Sequence, residues 1–128
     1  MSQIRATLVE LTENKPLHIL KFKLNKQTIT LLSLELPPNI SLNNSYTLQI
    51  KPTDIAISKQ YNNEISISNQ LNATILDIEC SKLLCSITLD IEGVKIESII
   101  LKASLQQMSL QTGEALVVLI PATKVSIC

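Results

Sequence analysis

The chain has 128 residues, enough for one domain or for two very small ones fused through a shared interface. Eleven basic and eleven acidic residues cancel, so no net field is available to hold a polyanion, and nucleic-acid binding is not expected. Apolar residues make up 45% of the chain, yet there is no Trp, one Phe and two Tyr; the apolar mass is Ile, Leu and Val, which suits strands. Units this small with a positive mean hydropathy are expected to bury apolar surface between subunits, making a homo-oligomer. The start of the chain has no basic-then-apolar signal, and no apolar run approaches the ~18 residues of a membrane span. Together with an odd count of cysteines (Cys80, Cys85 and Cys128), this predicts reduced thiols, a cytoplasmic location and no membrane insertion.

In chain order, SQIRATLVEL (Ser2–Leu11) opens with a strand. A hairpin follows: His18, Leu20, Phe22 and Leu24 alternate with Ile19, Lys21, Lys23 and Asn25, turn at Asn25-Lys26, and return through Ile29 and Leu31. Pro37-Pro38 excludes a helix interior in the next segment, and IKPTDIAI (Ile50–Ile57) closes the unit. After the polar stretch Ser58–Ser68 the same phrases return. NQLNATILDI (Asn69–Ile78) matches the opening at an offset of 67 residues, and IPATKVSI (Ile120–Ile127) matches the close at an offset of 70. A unit of roughly 65–70 residues has been duplicated. The second copy carries its own hairpin, with Cys85, Ile87, Leu89 and Ile91 inward, a turn at Glu92-Gly93, and a return through Val94, Ile96 and Ser98. Leu105 and Met108, at i and i+3, predict one or two helical turns over Lys102–Leu110. Gly113 and a last strand through Leu116, Val118 and Ile120 follow. The expected fold is all-β: two tandem OB-like small barrels, residues 1–58 and 66–128, joined by a linker over 59–65, with a short helical turn in the second.

Ser66-Ile67-Ser68-Asn69-Gln70-Leu71-Asn72-Ala73 resembles the opening of the molybdate-binding Mop/TOBE domain, whose pattern is Ser-Ala-Arg-Asn-x-Leu-x-Gly. Ile99–Leu110 resembles the family's Ile-Thr-x-x-Ser-x-x-x-Leu-x-Leu turn, and Ile120–Val125 its closing Ile-Lys-Ala-Ser-x-Val. A tandem of two such units resembles a molbindin-like di-Mop protein. The resemblance implies a non-catalytic binder of molybdate or tungstate that stores, buffers or senses the oxyanion, with no covalent cofactor. The alternative it leaves is an interaction module of a molybdate transporter or regulator whose oxyanion site has decayed.

Molybdate is a deprotonated tetrahedral dianion, so its oxygens only accept hydrogen bonds, and a selective site offers only donors. By family position the oxyanion-binding residues are Lys51, Thr53, Ser66, Ser68, Asn69, Ser104 and Thr123, with Lys102 and Lys124 as further sources of charge. Ser68, Leu101 and Pro121 stand where the family has Arg, Thr and Lys. A complete pocket would therefore combine Lys51 and Thr53 with Ser66, Ser68 and Asn69 of the other unit or another subunit. Each residue also has a plainer reading. Lys51 is otherwise a solvated strand-end lysine, Ser66, Ser68 and Asn69 a turn, and Ser104 a helix cap. His18 lies in an alternating strand without a nucleophile motif, which favours a structural role. Cys80 and Cys85 lack the further ligands of a metal site. No catalytic constellation and no enzyme are expected.

Overall fold

The computed structural model describes residues 2–128. It contains two curled five-stranded antiparallel sheets, each a half-barrel. The strands are β1 (Ser2–Asn14), β2 (Leu17–Leu24), β3 (Gln27–Ser33), β4 (Ser45–Ile50), β5 (Ala56–Ser58), β6 (Asn69–Cys80), β7 (Leu84–Ile91), β8 (Val94–Leu101), β9 (Ala115–Ile120) and β10 (Val125–Ile127). The single α-helix among the described residues, α1 (Lys102–Met108), lies in the second unit where the sequence predicts helical turns. The first unit crosses from β3 to β4 without one, as Pro37-Pro38 requires.

Alternation builds both sheets. In β1, Ser2, Ile4, Ala6 and Leu8 are buried; in β6 their counterparts 67 residues later, Asn69, Leu71, Ala73 and Ile75, are buried too. The long strands curl because each is bulged at the same place. The register slips between Leu8 and Glu10 in one unit and between Ile75 and Asp77 in the other. A bulge adds one residue and increases the local twist. It also pushes that residue outward, which accounts for the exposure of Val9 and Leu76. Glu92 (φ 49°) and Gly93 (φ 93°) supply the two positive dihedrals of a tight hairpin turn.

The first sheet is ordered β10-β4-β1-β2-β3 and the second β5-β9-β6-β7-β8. Each unit therefore sends its closing strand to the edge of the other's sheet, and the two sheets share one core running from Ile4 to Val125. The exchange gives the chain an internal pseudo-dyad, and polar contacts between the units obey it. Ser2 Oγ accepts from Glu97 N–H at 2.9 Å, and its counterpart Asn69 accepts from Thr30 N–H at 2.7 Å. The outer end of the first hairpin carries an equivalent cross-strand pair in both units. Glu13 faces His18, with carboxylate and Nδ1 3.6 Å apart, and their counterparts Cys80 and Cys85 form a disulfide. That pairing corrects the expectation of three reduced thiols. The two cysteines are directly opposed across β6 and β7, a relation that counting cysteines does not reveal; Cys128 is free and exposed.

Candidate functional site

The closing phrases of the two units form short 3-10 turns, Pro52–Asp54 and Ala122–Lys124. Pro at the first position of one turn suits its fixed φ. Both turns are closed alike: Asp54 N–H donates to Lys51 O, and Lys124 N–H to Pro121 O, each at 2.9 Å. The first turn packs on β8 and the second on β3, so each touches the opposite unit. Along β10 and β4 the register runs Ile127–Leu48, Ser126–Gln49 and Val125–Ile50. Lys124 and Lys51 are the next residues on either side.

These two lysines border an open hollow of about 200 Å³ with Gln49, Asp54, Thr123 and Ser126. Neither lysine is in an ion pair among the described residues, whereas Lys21 and Lys59 are paired with Glu10 and Glu114. The hollow thus offers two ammonium groups, the Thr123 hydroxyl and the Gln49 amide, against the single carboxylate of Asp54, while Ser126 Oγ already donates to Gln49 O at 3.4 Å. Its net charge is positive and most of its groups are donors, which suits a small anion. At ~30 Å³ of liquid volume per water, the space also takes several waters. One chain alone therefore leaves part of an anion's shell to solvent or to a neighbouring molecule.

The remaining candidates are dispersed. Thr53 is exposed in the first turn but does not line the hollow. Ser66 and Ser68 are exposed in the segment leading to β6. Asn69 is 1% exposed, and its amide donates to Thr30 O while accepting from Thr30 N–H, both at 2.7 Å. It continues a ladder between the two units with a side chain in place of backbone. Ser104 sits inside α1, whose N-cap is Leu101 with no side-chain bond, so the capping role is not taken up. Lys102 begins that helix, its backbone N–H on Leu83 O at 2.8 Å. Gln49, Ser126 and Asp54 line the hollow without having been singled out from sequence. Their only signal was membership of, or adjacency to, the closing phrases.

Larger hollows lie elsewhere. One of about 700 Å³ is lined by Lys26, Lys59, Tyr61, Asp90 and Glu92 among others. Its charges are mixed, and the hydrogen bond from Lys59 lowers the Glu114 carboxyl below its usual range, so this lysine is already engaged. Another, of about 410 Å³, is lined largely by Leu31, Leu32, Leu36, Val125 and Ile127, with Thr123 on the ridge between it and the cationic hollow. Surplus donors, rather than size, make the cationic hollow the candidate site.

The two half-barrel sheets match the Mop-domain fold. The TOBE domain model matches residues 65–127, so the second unit carries a TOBE domain. The whole chain is similar in fold to a crystal structure of the cytoplasmic molybdate-binding protein ModG, in a form grown from PEG with molybdate bound. The TM-score is 0.88 at 19% sequence identity, over 98% of this chain and 93% of that one. No curated protein matches the sequence.

Proposed function

We propose that the protein binds molybdate, or the closely similar tungstate, without catalysis, as a cytoplasmic store, buffer or sensor. The carrying observation is the meeting of Lys51, Thr123 and Lys124, both lysines without an ion pair among the described residues, where the closing phrases of the two units cross. Similarity in fold to ModG, itself described as cytoplasmic and molybdate-binding, supports ligand class and location. Most groups in the hollow donate, which suits a fully deprotonated dianion; a protonated phosphate, whose hydroxyl needs an acceptor, is left with the single carboxylate of Asp54. In a thermal-shift series, molybdate at a hundredfold excess over its Kd is expected to add ~3 kcal/mol, roughly ten degrees for a chain of this size. Sulfate is expected to do less and phosphate least. A flat response to all four oxyanions would sink the proposal. It would leave the second reading, an interaction module of a transporter or regulator with a decayed site, which Asp54 in the hollow and the residues Ser68, Leu101 and Pro121 favour.

The same reading includes assembly with further copies of the chain. Leu84 and Leu101, directly opposed at the mouth of the second hairpin, are 46% and 58% exposed. Their counterparts Leu17 and Leu34 are 43% and 64% exposed at the mouth of the first. Leucines open to water at equivalent places in both units make two matching apolar patches. Burying each side chain is worth about 1.5–3 kcal/mol. Light scattering of the wild-type protein is expected to give a multiple of the monomer mass, and L84D with L101D to reduce it; a wild-type monomer at micromolar concentration contradicts this part of the reading.

A further inference from the structure

We infer that only one of the two dyad-related positions in each chain is an oxyanion site, so that the duplicated protein binds one oxyanion per chain there, not two. The inference deepens the proposed function and rests on it. The pseudo-dyad carries the cationic hollow onto a second position on the other edge, where β5 pairs with β9 just as β10 pairs with β4. Ser126 opposite Gln49 becomes Ala56 opposite Leu119. At the offset of 70 residues, Lys51 becomes Pro121 and Thr123 becomes Thr53, while Asp54 and Lys124 exchange places.

The mate position has therefore lost an ammonium group, an amide and a hydroxyl. Pro121 contributes neither a charged side chain nor a backbone N–H. The charged pair that the dyad carries there, Lys124 and Asp54, is the same pair that lines the cationic hollow, and it sums to zero. A dianion placed there gives up water without gaining matching donors, and that desolvation is costly.

A second difference points the same way. Beside the mate position, Ser98 Oγ donates to Ile55 O at 2.6 Å in a fully buried contact that ties the first 3-10 turn to β8. The first unit has Leu31 where the second has Ser98, so the turn bearing Thr123 and Lys124 has no such tie to β3. The first turn is thus anchored to the opposite unit by a buried side-chain bond that the second turn lacks.

Isothermal titration of the full chain with molybdate tests this, alongside matched substitutions that remove a hydroxyl and keep its shape. The wild type is expected to bind one equivalent per chain. Thr123→Val is expected to weaken binding about tenfold, the effect of losing one hydrogen bond to a charged partner, and Thr53→Val to leave affinity and count unchanged. Two equivalents per wild-type chain, or equal losses from the two threonine substitutions, would overturn the inference while leaving molybdate binding intact. No heat and no retention of molybdate by the wild type would instead overturn the proposed function, and the inference with it.

Discussion

Expressed alone, residues 1–58 are expected to give no folded monomer. The core they contribute is half of a shared one: Ile4, Leu8, Leu20, Phe22, Ile29, Leu31, Leu48 and Ile50 are each at most 1% exposed in the whole chain. Many of these side chains lose cover without the second sheet, and each costs ~1.5–3 kcal/mol when returned to water. A few such losses match the entire ~5–15 kcal/mol by which a domain is stable. Two edges are also left open. β4 loses its partner β10, and β5 has no β9 to join. The fragment can recover both only by giving its β5 to the β4 of a second copy, because β5 and β10 are equivalent across the pseudo-dyad. Sedimentation with far-UV circular dichroism should therefore find either an unfolded chain or a folded dimer. A folded fragment at monomer mass would show that the strand exchange is dispensable.

Replacing Lys51 by Glu has the largest effect expected on binding. The substitution removes one of two cations bordering the hollow and adds a carboxylate beside Asp54. A hydrogen bond to a charged group contributes ~1.5–3 kcal/mol, which is about ten- to a hundredfold in Kd, and the reversed charge adds repulsion to that loss. Lys51 is exposed and in no ion pair among the described residues, so the fold should survive, with an unchanged circular dichroism spectrum and melting temperature in the absence of ligand. Lys51→Arg should retain most of the affinity. Retention of wild-type affinity for molybdate by K51E would place the site elsewhere on the protein.

What the sequence made legible was whatever repeats over several residues. The alternation in Cys85–Ile91 predicted the buried face of β7 residue by residue, and Leu105 with Met108 predicted α1. The duplicated phrases predicted two similar β units, expected as two small barrels. Pairing between distant short segments was not legible. β5 and β10 are three residues each, too short for a periodic signal, and nothing in Ala56–Ser58 or Val125–Ile127 says which sheet they join. Yet that choice decides the site, because it sets Lys124 beside Lys51. Asn69 shows a different limit. Asn is a reasonable oxyanion donor by type, but whether its amide is free depends on Thr30, 39 residues earlier, and here Thr30 engages both ends of it.

The hollow draws its lysines from both repeats, and this bears on how such a chain can diverge. In a dimer of two identical single units, every substitution in a closing phrase appears in both hollows at once, so neither can be spared. Joining the units in one chain breaks that tie: Pro121 and Lys51 are now separate positions, free to differ. Lys51 kept in one repeat and Thr123 and Lys124 kept in the other build one donor-rich hollow, while the opposite edge is free to change. Covalent fusion turned one obligatory pair of twins into two parts that can specialise.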